Sequence, residues 1–205
     1  MDAIAFLVLG GVFTSAMSGN TIVLGAALGQ GQLTTAERSL VTFAAYICGA
    51  AGATLPLRAR GGGIRRTLGL ELLVLAAFVL WWTCGSVKNP FDAYGLIILS
   101  ALAMGFQGGI GRALHVAGIP TTVVTSTLTA IVESLAERAL AHQRPLASTT
   151  TRQQIAAFFA YLVGAVIGGV MVWAGWRVAL PLVPFAAVLA LWLELQLGFV
   201  RFEPD

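Results

Sequence analysis

Long apolar stretches, separated by short polar connections, constrain this chain more than any other feature. Hydrophobic residues make up 58% of its 205 residues and charged residues 10%, whereas soluble domains carry about 25% charged residues. Because roughly 20 apolar residues in a helix cross the hydrocarbon core of a bilayer, we predict an all-α, polytopic membrane protein. The apolar segments are residues 1–28, 39–57, 67–86, 93–111, 155–174 and 178–199, and residues 127–140 form an amphipathic helix. Polar connections are predicted over residues 29–38 and 142–153.

Two clusters of hydroxyl and small residues interrupt these apolar surroundings. The first signature is residues 14–21 (Thr-Ser-Ala-Met-Ser-Gly-Asn-Thr), and the second signature is residues 121–127 (Thr-Thr-Val-Val-Thr-Ser-Thr). Such side chains are costly in hydrocarbon unless they fold inward, and Ser, Thr and Asn also cap helix N-termini. The two clusters therefore indicate one polar site built twice.

An internal repeat is the second organising feature. Residues 43–50 resemble residues 158–165 at an offset of 115, and Thr14 and Ser18 match Thr121 and Thr125 at an offset of 107. Two matches in the same order predict a duplication. We predict a single membrane domain over residues 1–205, with repeat 1 at about 1–88 and repeat 2 at about 92–201, each containing helix A, signature segment B and helices C and D.

The orientation of the repeats has two solutions. If segment B spans, each repeat has four spans and the halves are parallel. If B is re-entrant or broken, each repeat has three spans and the halves are inverted. A first B helix of 15 residues would reach only about 22 Å, less than the hydrocarbon thickness. Basic residues favour the inverted arrangement, since they divide nine against three there and six against six in the parallel one. It also places both termini in the cytoplasm.

Inverted repeats with an interrupted polar segment at the midplane are typical of secondary transporters. We predict a small-molecule or ion transporter or permease, whose half-helix N-termini suit a small polar or anionic solute. Facilitated, sodium-coupled and proton-coupled movement all stay open. The alternative is a non-transporting partner that assembles or regulates another membrane complex. The predicted solute-binding residues come from both signatures and from helix A of repeat 2: Ser15, Ser18, Gly19, Asn20, Gln107, Thr122, Thr125, Ser126 and Thr127.

Three motifs resemble the YoaK family of bacterial inner-membrane proteins, which have a domain of unknown function and about six transmembrane helices. They are Ser15-x-Met17-Ser18-Gly19-Asn20, then Met104-Gly105-Phe106-Gln107, and Thr122-x-x-Thr125-Ser126-Thr127. The resemblance implies a multi-pass protein of the bacterial cytoplasmic membrane and no established reaction. The family pattern typically has Thr-Gly-Asn, Thr-Gly-Thr and Met-Gly-x-Gln-Asn, so Gly108 replaces an amide here.

The start of the chain also differs from the family pattern, because Asp2-Ala3 resembles the end of a Gly-x-x-Asp-Ala element. We predict that the native start lies upstream of Met1, by roughly the 14 residues that separate Ala93 from Gln107. Asp2 would then be an intramembrane carboxylate and a candidate coupling residue.

Other chemistries lack the residues they need. Cys48, Cys84 and the two histidines form no metal-ligand spacing, and no nucleotide or hydrolase motif is present. We therefore predict no enzyme, cofactor, metal or nucleic-acid partner, while a homodimer stays open. Glu71 is predicted to pair with nearby arginines, and glycines such as Gly49 and Gly164 are predicted to pack the two C helices together.

Overall fold

The computed structural model describes residues 1–58, 62–85, 89–114, 124–141, 148–176 and 178–197, with the backbone alone at 124–126. These residues form eight α-helices and contain no strand. In the predicted notation, α1 to α4 are the elements A to D of repeat 1 and α5 to α8 those of repeat 2, and the repeat itself stays a prediction. Their bounds are α1 Asp2–Val8, α2 Met17–Gly29, α3 Leu33–Arg58, α4 Gly63–Cys84, α5 Pro90–Ala113, α6 Val124–Leu140, α7 Thr149–Trp173 and α8 Leu182–Leu197.

Four of the described helices, α3, α4, α5 and α7, are long and apolar enough to cross a membrane. Each has more than the roughly 20 residues that the hydrocarbon core requires. Two further apolar helices, α2 and α8, are shorter. Large apolar side chains such as Leu55, Leu73 and Trp173 point outward, as expected of surfaces in contact with lipid. The prediction of a polytopic helical membrane protein is confirmed.

Polar helix ends account for the errors in the predicted boundaries. Helix α3 begins at Leu33, so the predicted connection over residues 34–38 is wrong. Helix α7 begins at Thr149 because the Ser148 hydroxyl caps it, accepting from the Thr151 N–H at 3.0 Å. Residues 149–153 are therefore helical rather than part of the predicted loop. Helix α5 starts in the same way, with Asn89 as its cap and Pro90 in the first turn.

Glycines bring the backbones of α3 and α5 into direct contact. A Cβ atom on Gly105 would lie 2.9 Å from the Gly49 Cα and 2.7 Å from the Ala50 nitrogen. The prediction that Gly49 packs against helix C of repeat 2 is therefore wrong. On α7, a Cβ on Gly168 would meet Ala3 of α1 at 3.3 Å, whereas one on Gly164 would have no neighbour within 4 Å.

Helix contacts occur in corresponding pairs in the two halves of the chain. Helix α3 packs against α5 and α7 against α1, while α2 packs on α3 and α6 on α7. Helix α4 contacts both α5 and α8. With the predicted helix letters, the contacts of α3 with α5 and of α7 with α1 both join a helix C to a helix A. The contacts of α2 with α3 and of α6 with α7 both join a segment B to a helix C.

The chain between α1 and α2 is not helical over residues 9–16. Gly10 and Gly11 have positive φ angles of 102° and 79°, a conformation that side chains with a Cβ rarely adopt. The guanidinium of Arg38, at the start of α3, lies against Gly10, where a Cβ would be 2.8 Å from its Cζ. This interruption turns the chain back and brings Thr14 and Ser15 beside Asp2.

Candidate functional site

A buried carboxylate, that of Asp2, is the centre of the candidate site. Its Oδ1 accepts from the Thr14 N–H at 2.7 Å, the Thr14 hydroxyl at 3.0 Å and the Ser15 N–H at 2.7 Å. Its Oδ2 accepts from the Ser15 hydroxyl at 2.5 Å and from the Tyr161 hydroxyl of α7 at 3.2 Å. Asp2 is 8% exposed and Thr14 fully buried. Five donors can stabilise a negative charge that this environment would otherwise exclude.

A cavity of about 270 Å³ adjoins this carboxylate. Helices α1 and α7 and the chain around α8 line it, mostly with small or apolar side chains such as Ala3, Gly164, Gly168 and Ala187. Asp2 and Tyr161 are the polar side chains in its described lining. The cavity can therefore hold a small molecule against one carboxylate oxygen and one phenol.

Asn20 fixes the interruption from the other side. Its Oδ1 accepts from the Phe13 N–H at 2.8 Å, and its Nδ2 donates to the Phe13 carbonyl. Gly19 leaves room for the Phe13 ring, because a Cβ there would meet the ring at 2.9 Å. The first signature thus supplies donors to Asp2 through Ser15 and fixes the backbone through Asn20.

The N-terminus of α2 differs from the expectation of a polar cap. The helix begins at Met17, with Ala16 as its N-cap and no side-chain cap. Asn20 lies within the first turn and bonds to Phe13 instead, while Ser18 is exposed. The predicted capping role of the Ser and Asn side chains is therefore wrong for this helix.

The remaining predicted residues lie farther along the chain. Gln107 is half-buried on α5, and Thr127 is buried on α6. Thr125 and Ser126 belong to α6 by their backbone, and Thr122 lies outside the described residues. Neither Gln107 nor Thr127 belongs to the described lining of the cavity at Asp2. The structure thus brings Asp2, Ser15 and Tyr161 together. That the two signatures form one common site stays a prediction.

Tyr46 of α3, which matches Tyr161 in the predicted repeat, lies against Gly108 of α5. Its hydroxyl oxygen would be 2.6 Å from a Cβ at Gly108, and it is within electrostatic range of both Asp2 and Arg112. A larger residue at position 108 would force Tyr46 to move. The glycine that departs from the family pattern therefore gives the Tyr46 hydroxyl its space.

Residues 1–193 match the family described as "Protein of unknown function (DUF1275)". The chain belongs to this family. A similar protein is the UPF0700 transmembrane protein YoaK of Bacillus subtilis (strain 168), 34% identical over 170 residues that cover 82% of this chain and 76% of that relative. No solved structure matches the chain. The resemblance inferred from the three motifs is confirmed, and the long apolar helices agree with the word transmembrane in the relative's name.

The sequence analysis missed the contact of Tyr161 with Asp2 and predicted the wrong surroundings for Glu71. Tyr161 could have been found, since it occupies the same position in repeat 2 as Tyr46 in repeat 1. Glu71 is fully buried on α4, and neither carboxylate oxygen has a hydrogen-bond partner among the described residues. The prediction that Glu71 pairs with arginines is therefore wrong. Arg65, one of the two arginines nearest to Glu71 along the chain, donates instead to Gln196 of α8 at 3.4 Å.

Proposed function

We propose that this protein is a secondary transporter or permease for a small polar solute in a bacterial cytoplasmic membrane. The observation that carries the proposal is the buried Asp2 carboxylate, held at a helix interruption and facing a cavity. Ionisable groups inside membrane proteins are costly, and they commonly mark substrate or ion pathways. Non-helical backbone at membrane depth is likewise tolerated where it is buried in protein or lines a cavity.

The chemistry of the cavity limits the solute. At about 270 Å³ the cavity is slightly smaller than the roughly 300–1,000 Å³ of typical small-molecule sites. Asp2 Oδ1 already accepts three hydrogen bonds, whereas Oδ2 accepts two, from Ser15 and Tyr161. A carboxylate favours a solute that donates hydrogen bonds or carries positive charge. We propose a small amine, alcohol or cation, with an anion entering only together with a proton.

The repeat supplies the proposed mechanism of access. The corresponding contacts of α3 with α5 and of α7 with α1 support two structurally related halves. In the proposal these halves are inverted, both termini are cytoplasmic, and one half rocks against the other around the solute. The second signature would then contribute Thr122, Thr125, Ser126 and Thr127 from the opposite half when the site closes.

Ligand-dependent stability and flux test this function. The purified protein is screened by thermal unfolding against amines, polyols, amino acids and monovalent cations, and hits are followed as uptake into proteoliposomes. A ligand at 100 times its Kd stabilises the folded state by about 2.7 kcal/mol. We expect Asp2→Asn to abolish this ligand-dependent stabilisation. The control is Asp92→Asn, which should retain it; the Asp92 carboxylate accepts from the Trp81 indole at 2.9 Å.

The alternative of a non-transporting partner gives a different result. It predicts no solute-dependent stabilisation, no uptake and a second protein that co-purifies in a fixed ratio. That combination would contradict the transport proposal.

A further inference from the structure

The carboxyl of Glu71 lies alone in the interior of the protein. Its exposure is 0%, and both oxygens lack a hydrogen-bond partner among the described residues. Glu71 follows Leu68 by three positions and precedes Leu75 by four, so the three share one face of α4. Leu68 and Leu75 belong to an apolar cluster that includes Ala103 of α5 and Val188 of α8. The carboxyl therefore belongs to an apolar helix interface.

No described charge compensates this group. Among the described residues, Arg58 at the end of α3, Arg112 at the end of α5 and Glu194 on α8 make no hydrogen bond to Glu71, and neither does the amino group of Met1, which packs against the same cluster. On its own helix, Arg65 is directed to Gln196. This setting differs from that of Asp2, where five donors surround the carboxylate.

An ionised carboxylate without partners in apolar surroundings strongly destabilises the folded protein. Such a group must therefore hold a cation or a proton. The described residues contain no group of three or more His, Cys, Asp or Glu side chains that could hold a metal ion. A proton needs only the carboxyl itself, and it removes the charge.

We propose that Glu71 is a proton-binding site and that it couples solute movement to the proton gradient; the coupling rests on the transport function proposed above. The carboxylate takes up one proton from one side of the membrane. Glu71 stays neutral while the site is closed to both sides, and it then releases the proton to the other side. The packing described here corresponds to the neutral, occluded form.

The position of Glu71 connects it to the solute cavity. Met1 lines the cavity and also packs against the cluster that contains Leu68 and Leu75. On α8, Ala187 lines the cavity, and the next residue, Val188, is buried in the cluster. A displacement of α8 would therefore change the surroundings of both sites together.

Modification by dicyclohexylcarbodiimide tests the proton site without any transport. This apolar reagent adds to protonated carboxyls within membrane proteins, and peptide mass spectrometry locates the adduct. We expect an adduct on Glu71 that declines as the pH rises, its loss in Glu71→Gln, and its retention in Glu194→Gln, where the exposed glutamate is changed. An unmodified Glu71 in folded protein, or modification of Glu194 to the same extent, would overturn the proposal.

Flux measurements separate the proton site from the transport function. With a solute identified by the stability screen, wild-type uptake should be greater with an inward proton gradient than without one, and Glu71→Gln should lose that difference. If Glu71→Gln retains the difference, coupling by Glu71 is overturned while transport stands. If no solute is taken up and Glu71 is still modified, transport is overturned while the proton site stands.

Discussion

The side-chain amide of Asn20 bonds both the N–H and the carbonyl of Phe13, seven residues earlier in the chain. This pair closes a loop from Phe13 to Asn20, and the two residues that follow Phe13, Thr14 and Ser15, donate to Asp2. A fully buried side chain thus holds the backbone that presents donors to the carboxylate.

Replacing Asn20 by Ala should destabilise the protein by about 1–3 kcal/mol, because two buried backbone groups of Phe13 lose their partner. Ser18→Ala is the matched control on the same helix, and its exposed hydroxyl should contribute no more than about 0.5 kcal/mol. Thermal or denaturant unfolding in detergent measures both. Equal stabilities of the two variants would contradict the role assigned to Asn20.

The carboxylate of Asp2 and the hydroxyl of Tyr161 should be energetically coupled. In a double-mutant cycle of Asp2→Asn and Tyr161→Phe we expect an interaction energy of about 0.5–3 kcal/mol, as found for residues in one hydrogen-bond network. The cycle of Asp2→Asn with Ser18→Ala should be additive, since Ser18 does not contact Asp2. Additivity in both cycles would show that the 3.2 Å contact has no energetic role.

Gly105→Ala should separate α3 from α5. The added methyl would meet the backbone at Ala50 and Gly49, and overpacking of this kind destabilises by about 1–3 kcal/mol. Gly111→Ala lies on the same helix with no neighbour within 4 Å, so it should stabilise α5 by up to about 1 kcal/mol through helix propensity. Unfolding midpoints that shift in opposite directions are expected; a shift of the same sign in both would contradict the proposed contact.

Gly10 and Gly11 offer a second matched pair. Both have positive φ, but only a Cβ on Gly10 would contact Arg38. We expect Gly11→Ala to cost about 1–2 kcal/mol through its backbone conformation and Gly10→Ala to cost more, because the Arg38 guanidinium must move. The difference in unfolding free energy measures the Arg38 contact, and it should vanish in an Arg38→Ala background.

Labelling with an impermeant maleimide in intact cells distinguishes the two orientations of the repeats. In a background with Cys48 and Cys84 replaced by Ala, single cysteines are placed at Ala59 and Ala147. The inverted arrangement predicts that neither is labelled until the cells are opened. A cysteine at Val178 lies outside in the inverted arrangement, and its labelling in intact cells there is the positive control. Labelling of one of positions 59 and 147 from outside, but not of the other, would establish the parallel arrangement.

Hydropathy was sufficient to predict the helical membrane class, since α3, α4, α5 and α7 each contain an apolar stretch long enough to cross a membrane. The internal repeat stays a prediction. The starts of α3 and α7 were misplaced because polar first turns extend these helices beyond their apolar parts, and at α7 the Ser148 hydroxyl caps that turn. Asp2 could be singled out because a carboxylate next to an apolar stretch is unusual. Its partner Tyr161 is 159 residues away, and that proximity depends on the contact of α1 with α7.

Glu71 shows the limit of reasoning from sequence distance. Arg65 and Arg66 are close along the chain, which suggested ion pairs, but the pairing depends on the face of α4 that each side chain occupies. Glu71 shares the face of Leu68 and Leu75, whereas Arg65 extends toward Gln196. Which face of α4 is interior depends on the helices that pack against it, and the average hydropathy of a segment contains no information about those helices.

The backbone contact of α3 with α5 has a mechanical consequence. Two helices that touch at Gly49 and Gly105 cannot slide past each other without a collision of main-chain atoms, so this contact is suited to be the pivot about which one half rocks against the other. The cavity at Asp2 is bordered instead by α1, α7 and α8, where Gly164 has no neighbour within 4 Å. We therefore expect the opening that admits or releases a solute to form among these three helices. A cross-link within the α3–α5 pair should leave solute exchange intact, while one between α1 and α7 should stop it.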